Sequence, residues 1–413
     1  MLEERGWLDD GPRAWTTGSD GADGEGAGAA ADGMTGMAPE AEAMARTATD
    51  AVEPAPGEEL PTEPPASTAL RAGSVDDNER WEDYLLYRQD FAALGIPVHD
   101  VDVSGRQVLT VVTPDGRPVL GALVQVLDAD GEQVAEVRTH ADGRALFLAS
   151  PGTVGDQQQP SRLRVVVEKG DARTEAELDP ESREHTVTLD AASTAEPTRL
   201  DVLFLIDATG SMGDEIEQLK ANMVAVAERI DALPARPDVR FGMTVYRDRG
   251  DVFVTRTFDF TGDVATFTTA LREVVADGGG DAPESLNQGL HDAIHEPSWR
   301  IDDTVSLVFL VADAPPHLDY EDDADYAAEV FEAAERGIKV HPIASSGLDD
   351  QGEYVFRQIA QLTMGRFNFL TYGAGGAPEP GDATTHHVDD YSVLSLDELV
   401  VRLVTDELAA LSG

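Results

Sequence analysis

The sequence predicts an α/β protein: a doubly wound, mostly parallel sheet preceded by a small all-β sandwich and a disordered acidic N-terminus. Three observations lead there. From residue 198 onward, apolar runs of strand length alternate with helical periodicities, the pattern of a parallel sheet covered by helices. Between residues 107 and 189 the apolar period is two, punctuated by Asp-Gly pairs. Before residue 76 neither period is present.

Residues 1–75 are rich in Gly, Ala, Pro, Glu and Asp. Such a stretch cannot bury enough apolar surface to offset the entropy of ordering, so it reads as a disordered acidic tail or stalk. A short amphipathic helix is expected within 76–97. Tyr84, Tyr87, Phe91 and Leu94 fall on one helical face, Asp76, Asp77 and Asn78 offer capping side chains, and Gly95 and Pro97 supply a stop. The aromatic face is expected to pack on the next domain.

Residues 100–190 carry short alternating runs, among them Ala122/Val124/Val126, Leu163/Val165/Val167, Thr174/Ala176/Leu178 and His185/Val187/Leu189. Asp115-Gly116, Asp130-Gly131 and Asp142-Gly143 stand between such runs and suit tight hairpin turns. About seven strands in this length read as a small β-sandwich. No catalytic constellation falls inside it.

Residues 198–413 form the doubly wound unit. Leu200–Ile206 is an almost continuous apolar strand, and Ile216, Leu219, Met223, Val226, Ile230 and Leu233 then step along one face of a helix. Val239/Phe241/Met243/Val245 alternate, with Val252–Phe258 expected beside them as a hairpin-connected edge. Helices are expected at Val264–Val275, Ser285–His295, Tyr326–Arg336, Glu353–Leu362 and Leu396–Leu411. Further strands are expected at Val305–Ala312, Lys339–Ile343 and Arg366–Tyr372. Ligands of such sheets gather at the carboxyl ends of the strands.

The composition narrows the function. The formal charge is −49, of which residues 1–80 carry −13 and the remainder −36, so the folded part is acidic too. That field repels nucleic acid and anionic lipid and attracts cations and basic partners. Only Lys169, Lys220 and Lys339 are lysines, so nearly all positive charge is arginine. The absence of cysteine removes disulfides, thiolate zinc sites and cysteine nucleophiles. No run of 18 apolar residues suggests a transmembrane segment. Met1–Trp7 lacks the basic and apolar regions of a signal peptide, whereas a tail and sandwich ahead of a binding domain suit display at a surface.

The chemistry is concentrated where the strand Asp201–Ile206 runs into Asp207-Ala208-Thr209-Gly210-Ser211. Oxygen-bearing side chains at i, i+2 and i+4 leave a strand end together, with Gly210 permitting a sharp backbone path. Hard cations take such oxygens and retain water. Two later loops reach the same sheet edge: Asp313 ends a buried strand, and Asp281 follows Gly278-Gly279-Gly280 with Glu284 nearby as an outer acceptor. Taken singly, Asp207, Thr209 and Ser211 could serve only as helix caps. His291 and His295 stand four apart on a helix, but no third ligand is visible beside them, and a structural role is favoured. His386-His387 lies in a Gly/Pro-rich loop. Asp319, Glu321, Asp322, Asp323 and Asp325 read as a solvated acidic face, and Arg247 or Arg249 could neutralise Asp207 or Asp248.

Two resemblances follow from these residues. Asp115–Ala122 followed by Thr139–Ala145 resembles the carboxypeptidase-regulatory-like and bacterial immunoglobulin-like sandwiches, which usually act as spacers or adhesion units. Asp207-x-Thr209-x-Ser211 after a hydrophobic strand resembles the metal-ion-dependent adhesion site of von Willebrand factor A domains, with Thr209 in place of the usual serine. That resemblance implies a bound divalent cation, Mg²⁺ before Mn²⁺ or Ca²⁺, whose coordination an acidic residue of a protein ligand completes. It assigns Asp207, Thr209, Ser211 and Asp313 as metal ligands. The threonine that family members carry after a Gly-Gly turn has no clear counterpart; Asp281 occupies its place and would add a carboxylate. The function implied is non-catalytic, cation-dependent protein binding. The alternative is a subunit that recruits a substrate to an intracellular enzyme complex alongside an AAA+ ATPase, as in metal chelatases. A hydrolase lacks a convincing general base.

Overall fold

The structure, a computed structural model, describes residues 16–17, 71–149, 162–192, 198–280, 282–345, 347–371 and 394–411. In chain order its elements are β1 (Thr16–Thr17), β2 (Arg71–Val75), α1 (Trp81–Leu94), β3 (Arg106–Val112), β4 (Leu123–Leu127), β5 (Gln133–Arg138), β6 (Arg144–Leu148), β7 (Arg164–Lys169), β8 (Ala172–Glu177) and β9 (Glu184–Thr188). The second half contributes β10 (Arg199–Asp207), α2 (Gly213–Asp231), β11 (Asp238–Tyr246), β12 (Thr255–Thr261), α3 (Val264–Arg272), α4 (Leu286–His295), β13 (Thr304–Ala312), α5 (Tyr326–Arg336), β14 (Ile338–Ala344), α6 (Asp350–Leu362), β15 (Phe367–Thr371), β16 (Leu394–Ser395) and α7 (Leu396–Ala410).

The second half builds one mixed sheet in the order β1-β12-β11-β10-β13-β14-β15-β2-β16. β11, β10, β13, β14 and β15 run parallel, while β12 and β2 are antiparallel to their neighbours. Every residue of β13 and β14 is buried, because helices cover both faces of a parallel sheet and leave no side that can stay polar. One apolar core joins the sheet to α2, α3 and α7, and a second joins it to α4, α5 and α6. The chain leaves β10 for β11 on one side and later returns to β13 on the other. The carboxyl end of β10 is therefore the topological switch point, where a crevice opens.

The expected strands and helices are found, most with shifted ends, and three expectations are corrected. Arg71–Val75 belongs to the sheet and not to a disordered tail: β2 pairs antiparallel with β15, Phe367 opposite Val75 and Thr371 opposite Arg71. Its Ala-Gly-Ser centre has no apolar period, and the open edge of a large sheet supplies the partner instead. The strand expected at Val252–Phe258 is β12, three residues later, with Val252 exposed. On α1, Tyr84 and Phe91 are buried against the domain, whereas Leu94 is exposed. The stretch of the expected tail between 18 and 70 lies outside the described residues, as do His386 and His387.

Seven strands lie between 106 and 188, in a three-stranded sheet β6-β3-β9 and a four-stranded sheet β5-β4-β7-β8 that share a core of Leu109, Val124, Val165 and their neighbours. This unit is packed on the large sheet rather than strung beside it. Ala334 of α5 joins its core, Leu120 and Ala141 join the core under α2 and α7, and the Lys169 ammonium lies 2.5 Å from the Asp303 carboxylate.

Candidate metal centre

Asp207 is the last residue of β10, and Asp313 follows β13 directly. The two strands are parallel, Ile206 opposite Val311, so the two carboxylates leave the same sheet edge one residue apart in register. The backbone then turns sharply through Thr209 into a short 3₁₀ turn, Gly210–Met212, before α2. Asp207 Oδ1 accepts from the Thr209 amide at 2.9 Å and from the Thr209 hydroxyl at 2.7 Å, and Thr209 Oγ1 lies 3.4 Å from Ser211 Oγ. The Ser211 hydroxyl also donates towards Asp313. The sequence-read ligands Asp207, Thr209, Ser211 and Asp313 are thus brought together. Asp281 lies outside the described residues.

The third loop is built by glycine. Gly278 and Gly279 adopt φ of +81° and +67°, which an L side chain rarely tolerates. The Gly278 carbonyl accepts from the Gly210 amide at 3.1 Å, and the Asp277 amide donates to the Ala208 carbonyl at 3.1 Å. A Cβ on Gly279 would stand 2.7 Å from Glu284 Oε1 and 3.1 Å from Thr209 Cβ, so only a glycine lets this loop close over both. Glu284 is itself fixed by its backbone: its amide donates to the Pro315 carbonyl at 3.0 Å and its carbonyl accepts from His317 at 3.1 Å.

Among the described residues, three carboxylates here each keep one buried oxygen with no hydrogen-bond partner: Asp207 Oδ2, Glu284 Oε2 and Asp313 Oδ1. Burial pushes Asp207 up to about 7, with the Asp313 charge adding to it. Burial first, then the charges of Asp207, Asp248, Asp251 and Asp313, pushes Glu284 up to about 8. Asp313 is raised by burial, against the Ser211 hydrogen bond. Clustered negative charge with unfilled lone pairs is costly unless a cation completes it. The donor set, carboxylate and hydroxyl oxygens only, is that of a hard divalent ion.

Sequence reasoning names Asp248 only as a partner for an arginine and misses Asp251; the two frame this loop. Asp251 Oδ2 accepts from the Asp248 and Gly279 amides, and Asp248 accepts from the hydroxyls of Ser285 and Tyr320. Ser285, at the start of α4, turns to Asp248 instead of capping its helix. The arginines expected to offset Asp207 face elsewhere: Arg247 donates to the Val275 carbonyl, and Arg249 pairs with Asp323 at 3.0 Å. The acidic run is correspondingly less solvated than expected, since Asp323 is buried in that pair and Asp325 caps α5.

A doubly wound domain with an oxygen-lined crevice at its switch point defines the class of this half of the chain. Residues 201–376 match the von Willebrand factor A domain family, and this segment is a von Willebrand factor A domain. Residues 92–189 match a family described as a protein of unknown function (DUF1416), and neither sandwich family suggested by the turns is the one matched. An alpha-protein kinase, vwkA of Dictyostelium discoideum, is 38% identical over 120 residues, covering 29% of this chain and 19% of that protein. The von Willebrand factor A domain-containing protein 7 of Homo sapiens is 34% identical over 116 residues, covering 27% of this chain and 12% of that protein. The shared segment is thus a fifth or less of either relative. Among solved structures, proximal thread matrix protein 1 from the mussel byssus is similar over 41% of each chain at 17% identity and a TM-score of 0.32. A second structure of it, titled as having a zinc-occupied MIDAS motif, is 16% identical at the same TM-score over 40% of this chain and 39% of that one.

Proposed function

We propose that the chain is a non-catalytic, divalent-cation-dependent protein-binding module, with the ion held at the carboxyl edge of the large sheet by Asp207, Thr209, Ser211 and Asp313. The observation that carries this is the set of three buried carboxylate oxygens that no donor among the described residues satisfies, around one strand-end loop. Glu284 takes the role of an outer acceptor for a water on the ion. Mg²⁺ is the favoured ion, because the donors are all oxygen and the first turn leaves room for water.

The edge is open on one side. Gly210 and Ser211 are exposed while Asp207 and Thr209 are buried, so an ion held here presents a face to the surface and not to an enclosed pocket. An acidic side chain of a protein ligand can complete the shell there. Glu284 tempers that attraction, because a third carboxylate leaves less positive charge unmatched.

The test is thermal unfolding of the full chain, wild type and Asp207→Ala, with EDTA and with Mg²⁺, Mn²⁺ or Ca²⁺. A cation at about 100 times its dissociation constant adds roughly 2.7 kcal/mol, a rise on the order of 5–10 °C for a domain this size. The rise is expected in the wild type and absent in Asp207→Ala. Equal responses of the two proteins would mean that the ions act on the acidic surface at large, and the reading would fail.

A further inference from the structure

α4 and α5 pack side by side on the face of the sheet under the second core. His291 and His295 occupy the second and third turns of α4, one turn apart on the same side. Their rings stand 4.4 Å apart, centroid to centroid. Glu329, from the first turn of α5, rises between them: Oε1 lies 2.8 Å from His291 Nδ1, and Oε2 lies 3.0 Å from His295 Nε2. One ligand atom from each of the three lies within 4.8 Å of the others. The third ligand that the sequence does not show beside the histidine pair is therefore supplied from another helix.

We infer that His291, His295 and Glu329 form a second, nitrogen-containing metal site, suited to Zn²⁺ or a similar borderline divalent ion and separate from the oxygen-only edge of the sheet. The geometry supports a three-ligand site with water in the fourth position. Zn–N and Zn–O bonds of about 2.0–2.2 Å set neighbouring ligand atoms roughly 3.3–3.5 Å apart in a tetrahedron. The 2.8 and 3.0 Å contacts run to the two different oxygens of Glu329. An ion held by one of them needs the nearer contact to widen by about half an ångström, and the ligand atoms, which lie within 4.8 Å of one another, to draw in. Glu329 is buried, with 9% of its side chain exposed, whereas His291 is 41% exposed, so an ion would sit on a fixed carboxylate and face solvent through the imidazoles. Two imidazoles and one carboxylate distinguish this site chemically from the first, which holds no nitrogen.

Arg336 opposes the ion. Its Nη2 lies 2.9 Å from His295 Nδ1, and a guanidinium can only donate, so Nδ1 is the acceptor and the ring proton sits on Nε2. A metal on Nε2 moves that proton to Nδ1 and turns Arg336 away, although Nη1 remains anchored to the Ile294 carbonyl at 2.9 Å. Removing the competing donor should tighten the site.

The experiment is titration of the full chain with Co²⁺ alone, followed by the visible absorption of the bound ion, in the Asp207→Ala background that silences the sheet edge. One Co²⁺ per chain with the intense bands of a low-coordinate nitrogen-containing site is expected. Affinity should fall at least tenfold in His291→Ala, a half-exposed position, and again in Glu329→Gln. Arg336→Gln should bind several-fold tighter. The same spectrum and affinity with His291→Ala as without it, or no nitrogen-ligated band in any of these proteins, would overturn the site. Far-ultraviolet circular dichroism of each variant separates loss of ligand from loss of fold.

Discussion

Asp207 and Asp313 leave neighbouring parallel strands side by side, and each keeps one buried oxygen that nothing among the described residues satisfies. Glu284 adds a third from a loop far along the chain. Repulsion among the three makes the cation-free edge a strained part of the domain, and the neutral amide of Glu284→Gln relieves it. In EDTA at pH 8 this variant should therefore melt above the wild type. With saturating Mg²⁺ the order should reverse, and affinity should drop about tenfold, or roughly 1.4 kcal/mol. Differential scanning calorimetry with and without the ion reads both; a variant less stable in EDTA would show Glu284 to be held by contacts and not under charge strain.

Gly279 offers a steric test of the same loop. At φ +67° an alanine costs about 1 kcal/mol in any setting, and here its Cβ would also meet Glu284 Oε1 and Thr209 Cβ. Gly280, at φ +147°, has nothing within 4 Å of that position. Gly279→Ala should weaken Mg²⁺ binding by tenfold or more, and Gly280→Ala should carry the backbone cost with little change in affinity. Calorimetric titration of the two variants compares them directly. Equal affinities would mean that the loop's closeness to Thr209 has no bearing on the ion.

The legible part of this architecture is the part encoded locally. The helix expected at Tyr326–Arg336 has those bounds, and the run from Asp207 to Ser211 declares itself because its oxygens are contiguous on one strand end. Arg71–Val75 does not, since a strand of small residues is specified by the edge it joins and not by its own pattern. Glu284 is legible as an outer acceptor and Asp248 only as a partner for an arginine; Asp251, and the gathering of all three around one edge, were hidden for a related reason. Each is an ordinary acidic loop residue until a fold brings positions 207, 248, 284 and 313 to one edge, and no periodicity records that convergence. The partner of the His291–His295 pair was invisible in the same way, lying on the next helix.

His140 predicts an acid sensitivity at the contact between the sandwich and the large sheet. It is fully buried, and burial first, then the Lys339 charge, pushes its imidazole down to about 3. A folded-state value below the unfolded 6.5 means that the stability is complete above about pH 6.5 and is lost as the pH falls towards the folded value. At pH 5.5 the loss from this group alone is about 1.4 kcal/mol relative to pH 7.5. His140→Gln, which cannot take up the proton, should lower stability at both pH values yet flatten the difference between them. Urea unfolding at pH 7.5 and 5.5 measures the four quantities. An undiminished pH difference in the variant would assign the acid sensitivity to other groups.

The opposite end of β10 provides the control that separates stability from ion binding. Asp201 is fully buried and takes two arginines at once: Arg240 through Nε and Nη2 at 3.0 and 2.7 Å, and Arg300 through its amide and Nε at 3.0 and 2.9 Å. Both guanidinium groups are partly screened, with 22% and 18% of their side chains exposed. Asp201→Ala takes the carboxylate from between them and leaves Arg300, among the described residues, only its pair with Asp238 at 2.7 Å, and removal of one partner from a buried pair costs about 3 kcal/mol. Six residues of strand separate Asp201 from Asp207, roughly 20 Å, so the crevice itself is untouched. The expected result is a domain that melts several degrees lower and still gains the full wild-type increment from Mg²⁺. If Asp201→Ala abolished the increment as Asp207→Ala is expected to do, loss of ion response would report only a loosened domain, and the assignment of Asp207 as a ligand would need evidence other than melting.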